Sequence, residues 1–213
     1  MIAKERFSIN ITSKILETLE QLLQHKSQRQ ENLKNEISNS IDDIVEKHES
    51  IVLEIGCGHG HFLSAYAKNF PEKLCIGVDI IGKRLERCNR KKTLANLENL
   101  FFFKCEATEF INIFTEQYRI DEIFVLFPDP WPKNKHRKNR LFQLEFLSDL
   151  FAKNVSVIYL RSDSFNYISW VKSQLSKVSD KWEFDAIETL PFECETFFQQ
   201  IHPQFYTLKI TRT

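Results

Sequence analysis

Four carboxylates in this sequence stand at or near the ends of short apolar runs. Glu54 belongs to IVLEIG (51–56), Asp79 closes LCIGVD (74–79), Glu106 closes LFFFKCE (100–106) and Asp129 closes EIFVLFPD (122–129). The first run leads into Gly56-Cys57-Gly58-His59-Gly60, and glycines after a strand let the backbone turn sharply and come close to a ligand. The last opens Pro128-Asp129-Pro130-Trp131-Pro132. Its prolines fix three φ angles and restrict the residues before them, so the loop is stiff before anything binds. Lys133, Lys135, His136, Arg137, Lys138 and Arg140 follow at once, in a chain whose formal net charge is zero. Such a strip attracts a phosphate backbone whatever its base sequence.

The glycine loop sets limits on its ligand. Dinucleotide sites use G-x-G-x-x-G, with a helix N-terminus facing a pyrophosphate. Here the spacing is G-x-G-x-G, and the strand before it carries an acidic residue. A carboxylate at Glu54 suits a cationic or hydroxyl-bearing group better than a diphosphate. Asp79 is placed to accept both hydroxyls of a ribose, and Glu106 to meet an adenine amino group. With no Lys or Arg in the loop to hold phosphate, Glu54, Gly56, Gly58, Asp79 and Glu106 favour S-adenosylmethionine over NAD or ATP. At these residues the sequence resembles the Rossmann-like methyltransferases.

The elements that must position these groups follow a simple alternation. The four runs, and VSVIYLRSD (155–163), are each followed by a stretch of helical character: 61–69, 82–95, 107–117, 140–153 and 164–178. Alternation of this kind implies right-handed crossovers and a parallel sheet covered on both faces. WEFDAIETL (182–190) and QFYTLKITR (204–212) break the alternation as two strands in succession. The expected fold is α/β, mostly parallel with an antiparallel C-terminal pair and helices on both faces. Residues 1–50 read as a helical extension and 51–213 as the catalytic domain. In the extension, Ile15, Leu16, Leu19, Leu22 and Leu23 keep helical spacing behind caps Thr12 and Ser13. A second helix is expected over Ile37, Ile41, Ile44 and Val45, with Ser40 and Asp43 spaced as a capping box. QHKSQRQENLKN between them is polar and exposed.

Composition excludes several classes. The five cysteines are scattered with no CxxC pair, which fits a reducing compartment and argues against a zinc site or a disulfide framework. His59 and His61 flank the glycine loop without acidic or thiol partners, so no metal is expected. The N-terminal MIAKERFSIN has no long apolar run, so neither a signal peptide nor a membrane span is expected, and a cytoplasmic location is expected. Cys57 reads as a small filler and Trp131 as packing locally. Monomer and homodimer both stay open.

PDPWPK followed by a Lys/His/Arg-rich segment makes the resemblance specific. Together with LEIGCGHG, GVDI, SDSFNY and PFE, it is similar to the tRNA (guanine-N7-)-methyltransferase family. The resemblance implies transfer of a methyl group from S-adenosylmethionine to guanine N7 in tRNA. It makes Glu54, Asp79, Glu106 and Asp129 donor-binding, with Asp129 also catalytic. Lys133, Asp163 and Glu193 would face the tRNA, and the strip of Lys133, Lys135, Arg137, Lys138 and Arg140 would lie on its phosphates. This chain has Asp79 where the family often has Glu, Glu106 where it has Asp, and Leu190 where it has Thr, with Thr189 next door. The rivals are a methyltransferase of an exocyclic or protein amine and a non-catalytic RNA-binding homologue.

Overall fold

The computed structural model describes residues 2–153, 155–178, 182–195, 197–201 and 204–212, and the chain separates into two compact units, residues 1–42 and 43–213. The first is helical. Helix α1 (Ile2–Val45) is one continuous helix of 44 residues, where the sequence suggests two. No Gly or Pro interrupts it, and the Gln, Lys, Arg and Glu of QHKSQRQENLKN rank among the better helix formers. Ser40, expected as a cap, therefore lies inside the helix, its hydroxyl donating to the Glu36 carbonyl at 2.7 Å. The side chains of Thr12 and Ser13 lie outside the described residues, and the backbone there is already helical.

The second unit alternates as expected: β1 (Ser50–Ile55), α2 (His61–Asn69), β2 (Lys73–Asp79), α3 (Gly82–Leu94), β3 (Leu100–Lys104), α4 (Ala107–Phe114), β4 (Ile120–Leu126), α5 (Leu144–Ala152), β5 (Val155–Ser162), α6 (Phe165–Val178), β6 (Trp182–Ile187), α7 (Phe197–Ile201) and β7 (Tyr206–Arg212). The helix expected over 140–153 is shorter, because residues 134–139 form a 3-10 segment that ends at Arg140.

The sheet order is β3-β2-β1-β4-β5-β7-β6. Strands β1 to β5 pair in parallel, and β7 runs antiparallel to both β5 and β6. Central strands are buried almost throughout, which is why LCIGVD reads as an unbroken apolar run. Edge strand β6 instead mixes exposed Glu183 and Asp185 with buried Trp182, which blunts it against further pairing. Aromatic rings fill the space between sheet and helices. Phe62 of α2 meets Phe124 of β4 at 4.9 Å, while Phe103 of β3 stacks on Phe110 of α4 at 5.8 Å. Contacts of this type add about 0.5–1.5 kcal/mol each beyond the area they bury. Strand order reverses between β1 and β4, so the loops leaving their carboxyl ends border the crevice where such sheets bind ligands.

Candidate active site

The loop leaving β1 curls over the end of β2. Gly56 N–H and Cys57 N–H both donate to the Val78 carbonyl, at 2.9 and 3.1 Å. Gly56 has φ 71°, and a Cβ built there would meet nothing within 4 Å, so the backbone face is open to a ligand. Gly60 is closed instead: an added Cβ would lie 2.9 Å from Cys88 Sγ and 3.1 Å from Phe102 Cζ. Cys57 is buried as filler, its sulfur facing Gly77 of β2.

Glu54 lies beneath this loop and is 4% exposed, and its Oε2 has no hydrogen-bond partner among the described residues. Burial raises its carboxyl well above the usual range; the Cys88 thiol and Asp79 add to this, and a bond with the Leu63 backbone opposes it. A buried carboxylate oxygen left unpaired is costly, and a cationic group beside it removes that cost. S-adenosylmethionine carries its positive charge on a sulfonium and an amino group, so the donor set fits it.

Asp79 is a brace as well as a candidate ligand. Its Oδ2 accepts from Gly58 N–H at 3.0 Å and from Arg84 at 3.4 Å, and its Oδ1 accepts from Ile81 N–H at 2.8 Å. A carboxylate offers roughly four acceptor positions. Three are engaged in tying the glycine loop to the start of α3, which leaves room for one hydroxyl rather than two. Glu106 takes the N-cap position of α4, with its side chain exposed and making no capping bond.

The loop after β4 is held under strain. Phe127 and Trp131, on either side of Pro128-Asp129-Pro130, have φ of 52° and 41°, a region costly for residues other than glycine. Two restraints hold it. Phe127 N–H donates to the Arg161 carbonyl at 2.8 Å, and Arg140 reaches back to donate to the carbonyls of Pro130 at 2.8 Å and Trp131 at 3.3 Å. Arg140 is 5% exposed, its guanidinium 4.7 Å from the Trp170 ring centroid and 5.4 Å from that of Tyr167. It therefore stands apart from Lys133, Lys135, Arg137 and Lys138, which are exposed. Asp129, at the crest, is exposed too. Trp131 packs locally, its ring 5.6 Å from that of His136.

Asp163 follows β5. The cap of α6 comes from Ser164, whose Oγ accepts from Tyr167 N–H at 3.2 Å, so helix capping does not account for Asp163. Glu193 is bound from two sides. Arg161, 1% exposed, donates to its two oxygens at 2.8 and 2.6 Å, and Leu190 N–H donates to Oε1 at 2.7 Å. The Arg161 bonds, ahead of all else, pull the Glu193 carboxyl below its usual range. Leu190 is buried, and Phe192 packs on Tyr66 at 5.4 Å. Arg161 also donates to Thr207 Oγ1 at 3.0 Å and lies 4.2 Å from the Phe205 ring centroid.

The sheet thus sets Glu106, Asp79, Glu54, Asp129 and Asp163 along one edge, at or beyond the carboxyl ends of five neighbouring strands in spatial order. Sequence reasoning missed Arg161, Arg140's inward role and the basic face of α3. That helix carries Lys83, Arg84, Arg87, Arg90, Lys91 and Lys92 against one acid, Glu86. Lys91 donates to the His59 carbonyl at 2.7 Å, and Arg87 lies 3.1 Å from His59 Nε2, tying this face to the glycine loop. Burial, then Arg87, Arg84 and Lys91, hold His59 below its usual pKa. The run GKRLERCNRKK was the available signal. No cluster of His, Cys, Asp or Glu able to hold a metal occurs among the described residues, nor any helix long and apolar enough to cross a membrane.

Fold and cradle together define a Rossmann-like methyltransferase. The 16S rRNA methyltransferase KamB superposes with TM-score 0.58 at 17% identity, over 81% of this chain and 91% of its own. The family model Methyltransf_4, described as "Putative methyltransferase", matches residues 48–191. A tRNA (guanine-N(7)-)-methyltransferase of Wolbachia pipientis wMel is 33% identical over 65% of this chain and 63% of its own length. One of Chlorobium phaeobacteroides is 33% identical over 71% of this chain and 74% of its own. The chain belongs to this methyltransferase family. It spans less than two thirds of the Wolbachia relative.

Proposed function

We propose that this protein methylates N7 of a guanine in tRNA, with S-adenosylmethionine as donor. The observation that carries the reading is the position of Asp129. It crests a strained, doubly restrained loop, with the Glu54 cradle on one side and an exposed cationic strip on the other. Relatives named as tRNA (guanine-N(7)-)-methyltransferases support the choice of substrate. Five free cysteines suit a reducing, cytoplasmic setting.

Bound in the cradle, S-adenosylmethionine supplies an electrophilic methyl group on a sulfonium. Glu54 would supply a carboxylate for the donor's positive charge, and the open face of Gly56 would admit its close approach. Guanine N7 bears an in-plane lone pair and no proton, so no general base is required. The chain's work is to align N7 and to stabilise the charge that the base gains, which is catalysis by positioning and fixed electrostatics. Asp129 is an exposed carboxylate at the crest of the stiff loop, suited to that task. Asp163 and Glu193 can accept from the N1–H and N2–H₂ edge, Glu193 already being held in orientation by Arg161. Lys133, Lys135, Arg137 and Lys138, with the exposed cations of α3, hold phosphates on two sides of the crevice.

The test is incubation of unmodified tRNA with labelled donor, followed by nucleoside analysis. The expected product is 7-methylguanosine. A tRNA with 7-deazaguanosine at the target should bind normally yet accept no methyl group, because a C–H replaces the lone pair. Methyl incorporation at that nucleotide would end the N7 reading in favour of an amine acceptor.

A further inference from the structure

Among the Phe, Tyr and Trp residues whose side chains are described, only Phe165 and Tyr206 are exposed, and neither belongs to the cradle, the Asp129 loop or the cationic strip. Phe165 is 60% exposed and Tyr206 is 42% exposed. They touch each other, edge to face, with ring centroids 5.3 Å apart. The other phenylalanines whose side chains are described are buried or half-buried, so leaving this pair in water is a local departure. Its place is specific. Phe165 opens α6 two residues after Asp163, and Tyr206 opens β7 directly across from Ser162 of β5. The two rings therefore bracket the Asp163 end of β5, and β5 neighbours β4, from which the Asp129 loop leaves.

The chemistry of the reaction supplies a use. N7 lies on the major-groove edge of guanine, and the major groove of an RNA helix is too deep and narrow for side chains to read. A base that is to react must leave its stack, which costs stacking energy. An aromatic surface at the site offsets that cost, because every base has a π face. Trp131, half-buried with its ring against His136, presents less free surface than this exposed pair. We propose that Phe165 and Tyr206 form a stacking platform for an unpaired nucleobase of the RNA substrate at the Asp163 edge of the site. The inference rests on the RNA-methylating function above.

The test is the double variant Phe165→Ser/Tyr206→Thr in the full chain, with both positions exposed and Thr suited to a strand. Stacking on one base predicts a loss of tRNA affinity of about fivefold to a hundredfold. The slope of log affinity on log salt should not change, because no phosphate contact is lost, and donor affinity should also hold. Phe165→Trp with Tyr206 retained should bind as wild type. A matched pair of single-stranded oligoribonucleotides, one fully abasic, adds a direct reading: the wild type should prefer the base-bearing strand and the double variant should not. If the double variant binds tRNA within twofold of wild type, the platform is refuted and the proposed function stands. A loss of affinity that comes with a lower salt slope also refutes it. If wild-type protein binds no tRNA, both readings fall together.

Discussion

Replacing Arg140 by lysine keeps the charge and removes the fork. The guanidinium donates to Pro130 O at 2.8 Å and Trp131 O at 3.3 Å and faces two aromatic rings. A hydrogen bond from a charged donor contributes about 1.5–3 kcal/mol, and the longer of these belongs at the low end. A lysine ammonium presents no planar fork to hold both carbonyls, and it loses the flat face that stacks on Trp170. The loss is then about 2–4 kcal/mol. Left-handed φ at Phe127 and Trp131 stores strain of about 1–3 kcal/mol per residue. Brace and strain are of similar size, so weakening the brace should let the loop relax and Asp129 lose its position. Hydrogen exchange should rise in residues 127–140, and turnover should fall by at least about tenfold, with donor affinity intact. The salt dependence of tRNA binding should not change, because the guanidinium is buried. Wild-type exchange and turnover in Arg140→Lys would refute the brace. A fall of about one unit in salt slope would return Arg140 to the phosphate-facing strip.

Changing Lys133, Lys135, Arg137 and Lys138 together to Ser should reduce the salt slope of tRNA binding by up to about 3 units. Retained affinity and slope would make that strip a solvated loop. Asp129→Asn keeps the volume and removes the charge, and turnover should drop about 10²-fold with an unchanged melting temperature; full activity would leave Asp129 structural. Glu54, raised by burial, holds its proton to a pH above the usual carboxylate range, whereas a bound cation favours the carboxylate. Donor affinity should therefore fall as pH drops through that raised value, and Glu54→Gln should flatten the dependence; a flat wild-type profile would remove Glu54 from the cradle. Glu193 has the opposite sign. Its folded pKa is depressed, so its stabilisation is present above the unfolded value near about 4.3 and is lost as pH falls through the folded one. The melting temperature of Glu193→Gln should lack that acid-side decline.

The strands were legible because a sheet covered on both faces demands unbroken apolar runs, and LCIGVD or VSVIYL can be little else. The placing of the glycines and acids on one edge of the sheet was legible because they fall within a few residues of strand ends. Other features depend on contacts between distant segments. Arg140 is the last member of a basic run in sequence, yet Trp170, thirty positions later, helps to decide that it points inward. The resemblance makes Glu193 a substrate-facing carboxylate, and only the folded chain shows the arginine, thirty-two positions earlier, that orients it. The continuity of helix α1 was missed for a different reason. A polar stretch between two amphipathic ones resembles a linker, and propensity without an apolar face was enough to keep it helical.

Arg161 gives the rim of the site a switch-like character. Its carbonyl holds the start of the Asp129 loop, and its side chain holds Glu193, Thr207 and the Phe205 ring. Prying residues 190–194 away would strand a buried cation. Breaking such a pair costs about 3–5 kcal/mol, nearer the lower figure here because Glu193 is partly in water. At about 3 kcal/mol, fewer than roughly one molecule in a hundred would have the rim open at any moment. Partial opening gains nothing, since stretching the Glu193 pair leaves the buried Arg161 charge uncompensated before the segment is free. The segment carrying Glu193 is thus expected to release in one step, as a latch does, rather than by degrees.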